Sequence, residues 1–273
     1  MSSQSSSFLN KISIDSLKIR IPLVDVKIID TNLNSHYLTV NKETGEEIEE
    51  FKNTSLGSKS KGITTRFLIG QHPTDSKGNT EEYLYILLNS KLLKARYFEG
   101  ICDDNIKVVF NELIDYNIVD FSYNNFLKAE CTDIDFKVDQ VIKIDPFQEL
   151  LDYLKKSTKE SSQLGKGYKV YDEKTNKGIQ WSDRKTTAFA TNPFIKIYHK
   201  ETELKNNSNE FKETYLQAQS TENIVRTEFT IKNKKHIKAV GIMGNTLADL
   251  LGVPEKLKLQ ILQKTMSSHI NTE

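Results

Sequence analysis

The sequence predicts an α+β fold, a central and mostly antiparallel sheet flanked by helices. Segments 12–21, 81–89, 126–138 and 222–232 alternate apolar and polar residues, the period of strands with one buried face. Segments 104–117 and 146–160 repeat at the helical period instead, and strands and helices do not follow the strict β-α-β rhythm of a parallel sheet. With 273 residues, 37% of them apolar and 27% charged, the chain can bury a sizeable core without disulfides or metal staples.

The elements follow in order. In 12–30, Ile12, Ile14, Leu17, Ile19 and Ile21 recur at or near period two, and Pro22 ends the strand or sets it at an edge. Residues 36–40 and the run IEEFKN read as a weak hairpin around NKETGEE, and 55–62 is a loop by composition. Strands at 63–70 and 81–89 flank the polar turn HPTDSKGNT, and 91–101 continues as a short helix. A helix at 104–117, a strand at 126–138 and an amphipathic helix at 146–160 with Pro near its start come next. SSQLGKG, 161–167, is the candidate linker. Short strands at YKVYD and IQWSD precede a strand at 192–201, which leads into a helix from about 203 to 219. A strongly alternating strand covers 222–232, a short helix capped by Asn245 covers 245–252, and a last helix begins near Pro254. The expected organisation is a Ser-rich tail at 1–8, a main domain at 9–243 and a C-terminal helical segment at 244–273.

Composition excludes several classes. The formal charge is +1, neither a strongly basic nucleic-acid coat nor an acidic disordered chain. The charge is segregated: from residue 165 onward there are 18 Lys/Arg against 12 Asp/Glu, +6, which leaves 20 against 25, −5, before it. The C-terminal part is therefore the first place to seek a phosphate partner. Cys102 and Cys131 make no disulfide framework or zinc site and read as small buried hydrophobes in a reducing compartment. No apolar run nears the roughly 20 residues of a membrane span, and MSSQSSSFLN lacks the pattern of a signal peptide. A cytoplasmic protein is expected.

Three patterns could carry chemistry. In NPFIKIYHK, strand alternation puts Ile195 and Ile197 on one face and Lys196, Tyr198 and Lys200 on the other. A tyrosine between lysines suits attack on a phosphodiester, because ammonium groups favour the phenolate and neutralise phosphate. In IVRTEFTIK, Arg226, Glu228 and Lys232 share the polar face. In CTDIDF, Asp133 and Asp135 share a face, an oxygen pair suited to Mg²⁺ or Mn²⁺. Each pattern alone also describes an ordinary solvated strand face. The five histidines are scattered, and no Walker A, GxSxG, HExxH or CxxC motif occurs.

The order of these patterns, an Asp-containing strand, then YxK with a following Glu, then an RxE strand, resembles the rolling-circle replication initiators of filamentous phages, the gene II protein family. It resembles more distantly the plasmid initiators of the Rep_trans group. Leu17, Arg20, Ile21 and Pro22 fill the opening strand motif, and Gly62 and Ile63 fill the next. Asp133 fills the metal strand, with Cys131 where Arg is usual. Tyr198, Lys200 and Glu203 fill the YxK segment, Val225, Arg226, Glu228, Ile231 and Lys232 the RxE strand, and Lys238 and Gly241 its continuation. The resemblance covers roughly residues 12–252.

It implies a replication-initiator nuclease fold that nicks and rejoins a strand at an origin through a 5′-phosphotyrosine. Tyr198 would be the nucleophile and Lys200 and Arg226 its electrostatic support. Asp133 and Glu228 would hold Mg²⁺ or Mn²⁺, with Asp135 and Glu203 as alternatives. Implied partners are origin DNA, single-stranded or supercoiled, with a host helicase and polymerase, and a homodimer is one assembly it allows. Two other readings stay open: a catalytically silent DNA-binding protein, and a mobilisation relaxase or tyrosine transposase. If the +6 C-terminal part docks on DNA, affinity should fall about tenfold or more between about 50 and 200 mM salt, since phosphate contacts release counterions. Fluorescence anisotropy at graded salt measures this.

Overall fold

A computed structural model describes residues 9–34, 36–40, 47–51, 60–73, 80–160, 167–170, 177–181 and 194–271. In chain order its elements are β1 (Ser13–Pro22), β2 (Lys27–Ile28), β3 (His36–Val40), β4 (Glu47–Phe51), β5 (Arg66–Pro73), β6 (Thr80–Asn89), α1 (Ile106–Ile114), β7 (Val119–Asp120), α2 (Tyr123–Lys128), β8 (Glu130–Val141) and α3 (Ile144–Ser157). They continue as β9 (Lys169–Val170), β10 (Gly178–Trp181), β11 (Phe194–His199), α4 (Lys200–Asn207), α5 (Asn209–Tyr215), β12 (Ile224–Lys232), α6 (Asn233–Ala239), α7 (Leu247–Leu251) and α8 (Glu255–His269). A run of 3-10 turns, Ser90–Glu99, follows β6 and is broken at Lys94, where φ is +53°.

The fold is α+β. Eight strands form one sheet in the order β5-β6-β1-β8-β12-β11-β10-β9, and every neighbouring pair in it is antiparallel. Alternation sorts its two faces. Leu17, Ile19, Ile134, Phe136, Phe229, Ile231, Ile195 and Ile197 fill the core face. Phe136 and Phe229, opposite each other on β8 and β12, stack with centroids 5.3 Å apart, a pair worth about 0.5–1.5 kcal/mol beyond its buried area. Phe126, Phe147, Leu151, Leu247, Leu250 and Ile261 join that core from α2, α3, α7 and α8. The C-terminal helices thus share the core of the sheet. They are stitched to it by the Glu130–Thr246 bridge and by the Ile12 N–H donating to Glu255.

Several local expectations need correction. Residues 126–128 belong to α2, because Ser122 caps it by accepting from the Asn125 N–H, and β8 begins at Glu130. The segment 91–101 is 3-10 rather than α. The helix expected at 203–219 is two helices meeting at Ser208. A helix over 233–239 was not anticipated; it begins directly after β12 and closes with the Gly241 N–H donating to Lys238. The cap of α7 is Thr246, not Asn245, in a reciprocal box with Asp249. The tail at 1–8 and residues 161–166 of the candidate linker lie outside the described residues.

Gly100 ends the 3-10 run at φ +67°, and a Cβ there would strike the Ser13 hydroxyl and come within 3.0 Å of the Ile14 carbonyl. Gly100→Ala is expected to cost about 1–3 kcal/mol by combining positive-φ strain with a backbone clash. Urea denaturation followed by circular dichroism reads that loss as a lower midpoint at unchanged slope.

Candidate active site

The opposite face of the same strands carries charge. Register sets Tyr198 beside Arg226 and Arg226 beside Asp139, with Lys196, Glu228 and Lys137 aligned in the next row. Asp135 faces Thr230, and Asp133 faces Lys232. Much of this polar face is buried: Arg226 is 0% exposed, Tyr198 2% and Glu228 3%. Buried charges persist only when paired, and these are.

Arg226 is the hub. Its Nε and Nη2 donate to the two oxygens of Asp139 at 2.6 and 2.8 Å, while Nη1 donates to Asp15 at 2.8 Å and to the Tyr97 hydroxyl at 2.7 Å. Lys137 closes the other side of Asp139 at 2.5 Å and also donates to the Phe98 carbonyl. Burial pushes the Asp139 carboxyl up, but Arg226 and Lys137 more than reverse this and hold it below its ordinary value. Asp15 follows the same pattern, with burial opposed by Arg226, Lys200 and Lys137, and ends far below the usual carboxylate range. For Lys137 burial wins, and its ammonium titrates below the usual lysine value despite Asp139.

Beside the hub, the Tyr198 hydroxyl donates a short hydrogen bond to Glu228 Oε1. Lys196 holds the other Glu228 oxygen at 2.5 Å, and Arg226 Nη1 lies 3.9 Å from Oε1. Lys200 Nζ is 3.4 Å from the Tyr198 oxygen and 2.6 Å from Glu203. The ammonium groups of Lys196 and Lys200 lie 4.8 and 5.4 Å from the Tyr198 ring centroid. Burial first, and the Glu228 charge second, raise the Tyr198 phenol well above its ordinary value, with Arg226 opposing. Burial and the Glu228 charge thus outweigh the help toward ionisation expected of the two lysines. The phenol keeps its proton, and the carboxylate that can accept it is already hydrogen-bonded to it.

The structure brings Tyr198, Lys200, Glu228 and Glu203 together. Arg226 is beside them but is engaged by Asp139, Asp15 and Tyr97, so it positions the cluster rather than facing a phosphate. Asp133 and Glu228 do not converge. Asp133 pairs with Lys232 and Glu228 with Lys137, four residues along β8, about 13 Å of strand. Glu228 is paired with Lys196 and Glu203 with Lys200, and Asp135 accepts from the Ser16 and Thr230 hydroxyls. Among the described residues no group of three or more His, Cys, Asp or Glu is placed to hold a metal ion. The carboxylates expected as ligands therefore do not fit one shared Mg²⁺ or Mn²⁺.

Sequence reasoning missed Asp15, Tyr97, Lys137 and Asp139. Continuing the alternation of β8 past Asp135 would have found Lys137 and Asp139, charges set between Phe136, Val138 and the strand end. Tyr97 carried no signal, since it reaches Arg226 from the 3-10 run. His199 points away from Tyr198: its ring lies 6.3 Å from Phe147 of α3, on the core side. Cys131 is fully buried and its thiol is pushed up by burial, while Cys102 is half-buried; both are free.

No protein-family model and no curated protein sequence matches the chain. Among solved structures it aligns with a rolling-circle replication initiator protein from Geobacillus stearothermophilus, at 13% identity and a TM-score of 0.35, over 93% of this chain and 84% of that one. Among the described residues no helix is long and apolar enough to cross a membrane.

The hub sets the acid stability. Asp15 and Asp139 titrate lower folded than their ordinary 3.8, so the stability they contribute is complete above about pH 5 and is lost as pH falls through their depressed folded values. Urea midpoints should be flat down to about pH 5 and then decline. Arg226→Met should cost about 3–5 kcal/mol at neutral pH by leaving Asp139 and Asp15 short of a cation, and the same urea titration measures it.

Proposed function

We propose that this chain nicks and rejoins a DNA strand at a replication origin, with Tyr198 as the nucleophile and a 5′-phosphotyrosine as the intermediate. The observation that carries the reading is the Tyr198 hydroxyl donating to Glu228 with Lys200 on its other side. As the Tyr198 oxygen bonds to phosphorus, its proton passes to Glu228, so no free phenolate is needed at neutral pH. The P–O3′ bond breaks on the side of phosphorus opposite Tyr198, and the departing 3′-oxygen takes its proton from water, while Lys200 stays on the nucleophile's side, 3.4 Å from the Tyr198 oxygen. Lys196 and Lys200 supply positive charge where the phosphorane gains negative charge. Rejoining is the reverse sequence: the 3′-hydroxyl attacks the phosphotyrosine, which conserves the phosphodiester bond and needs no nucleotide.

On this reading the substrate is the origin of a phage or plasmid replicating by the rolling-circle mode, in a bacterial cytoplasm, with a host helicase and polymerase downstream. One observation favours the non-catalytic alternative: Tyr198 is only 2% exposed. A protein that only docks on DNA would keep the cluster as a structural network and would never form an adduct.

The test is a denaturing gel with wild-type protein and an end-labelled single-stranded oligonucleotide carrying the origin. Tyr198→Phe should abolish the covalent adduct while costing about 1.5–3 kcal/mol of stability, one buried hydrogen bond to a charged group. Glu228→Gln should slow adduct formation by roughly 10²–10⁴-fold, the range of a lost general base. A Tyr198→Phe protein that still forms the adduct would sink the assignment.

A further inference from the structure

The polar face does not end at the buried cluster. Past Thr230 and Asp135 it opens into a groove of about 450 Å³ lined in part by Ser16, Lys18, Arg66, Asn89 and Asp133. Thr230 is two residues from Glu228 on β12, so the groove ends about 7 Å of strand from the Glu228 side of the Tyr198 cluster. Beyond the groove, the outward faces of β1 and β6 carry an unusual set of side chains. The rings of Tyr83 and Tyr85 are half-exposed, as are Lys18 and Arg20, and Arg66 of β5 is exposed.

The two rings are built into place. Leu84, Ile86 and Leu88 of the same strand point into the core, so period two sends Tyr83 and Tyr85 outward. Lys18 Nζ lies 4.8 Å from the Tyr85 centroid, and the Arg20 guanidinium 4.7 Å from that of Tyr83. The two centroids are 6.5 Å apart. Gly70 on β5 lies under them: a Cβ there would come within 3.2 Å of the Tyr85 ring, so a bare backbone lets that ring lie across the strand. Glu130 is matched to Arg20 at 2.5 Å, and Asp135 accepts two hydroxyls, while Asp133 lines the groove.

We infer that this outward face is a docking platform for single-stranded DNA, with unpaired bases stacked on Tyr83 and Tyr85 and phosphates met by Lys18, Arg20 and Arg66. Rings interleaved with cations on an open sheet face offer what an unpaired strand presents: base π-faces at intervals along a chain of phosphates. A duplex hides those base faces and gains only the phosphate contacts. The platform and the nucleophile lie at opposite ends of one path. Through Arg20, Tyr85 is in register with Glu130, and through Arg226, Tyr198 is in register with Asp139. That is about 30 Å along β8, a span of several nucleotides. This deepens the proposed nicking function by placing the strand that would be cut, and it can fail separately from it.

The test uses the full chain and a fluorescein-labelled oligothymidine, read by anisotropy at low salt, with the covalent adduct measured in parallel. Tyr83→Leu and Tyr85→Leu keep apolar bulk on a half-exposed face. Each should weaken binding by about tenfold or more with little change in salt slope, whereas Lys18→Gln should flatten the slope by about one. The adduct is read on an oligonucleotide carrying the origin, and wild type should form it if Tyr198 is the nucleophile. Wild-type protein that does not bind the oligothymidine, or leucine variants that bind it as wild type does, would overturn the platform whether or not an adduct forms. Binding that is lost in the leucine variants while wild type forms no adduct would support the platform and reject the nicking reading. Should a leucine variant fail to fold, photocross-linking of wild type to a bromouracil oligonucleotide replaces it. Label on the peptide carrying Tyr83 and Tyr85 supports the platform, and label confined to other peptides overturns it.

Discussion

The structure depends on the fork of Arg226. A fully buried guanidinium in the centre of an eight-stranded sheet is tolerable only if its charge and donors are met, and here two carboxylates and a phenol accept four hydrogen bonds from it. Those partners come from different places in the chain: Asp15 from β1, Tyr97 from the 3-10 run and Asp139 from β8. One side chain on β12 thus locks three segments far apart in sequence. The lock is directional as well as strong, because a planar fork accepts its carboxylate only in one orientation. Tyr198 and Glu228 inherit their geometry from it, as cross-strand and same-strand neighbours of Arg226.

The sheet therefore has two faces with different duties. Its apolar face, covered by helices, supplies the hydrophobic driving force. Its polar face is covered over Arg226 by Tyr97 and Phe98, and Lys200 and Glu203 of α4 add to that cover. Over β1, β6 and β5 the side chains Lys18, Arg20, Tyr83 and Tyr85 are half-exposed and Arg66 is exposed. Burial at one end raises the Tyr198 phenol and makes its carboxylate neighbour matter. Openness at the other end leaves Tyr83 and Tyr85 accessible. Four cations (Lys137, Lys196, Lys200 and Arg226) and four carboxylates (Asp15, Asp139, Glu203 and Glu228) compose the buried end. Formal charge there is balanced, so a phosphate would meet local gradients set by Lys196 and Lys200 and not a bulk positive field.

Much of this was legible in the sequence, for a reason that also marks its limit. Alternation in 194–200 and 222–232 assigns Lys196, Tyr198, Arg226 and Glu228 to one face, and period two survives any tertiary context that keeps the strands. What alternation cannot supply is how far one strand is shifted along the next. Asp133 and Glu228 do share a face, yet a four-residue offset separates them. Cover is equally invisible: nothing in YxK says that the phenol is buried, because Tyr97 arrives from a 3-10 run with no amphipathic pattern. The strand expected from residue 126 takes in the last turn of α2 because FLKAE continues smoothly into the alternation of β8, and only the Ser122 cap marks the change.

One register feature can be read directly from the residues, and the site rests on it. Apolar positions in the first strand run Ile12, Ile14 and then Leu17, Ile19, Ile21, so the parity changes between 14 and 17. The structure has a bulge there: Ile14 pairs with Phe136, but Ser16 pairs with Asp135, which leaves Asp15 as the extra residue. Without it, strict alternation would set Asp15 against Asp135, two like charges directly opposed, and would turn Leu17, Ile19 and Ile21 out of the core. A second bulge compensates, with Lys18 opposite Asp133 and Ile19 opposite Cys131; the same parity change is visible as Cys131 and then Ile134, Phe136. The first bulge frees Asp15 from the ladder and aims it at Arg226 and Ser90, a re-aiming of one side chain that bulges beside functional sites commonly perform. It also keeps Lys18 and Arg20 on the outward face beside Tyr83 and Tyr85. A single inserted residue in β1 thus sets the buried hub and the open platform at once.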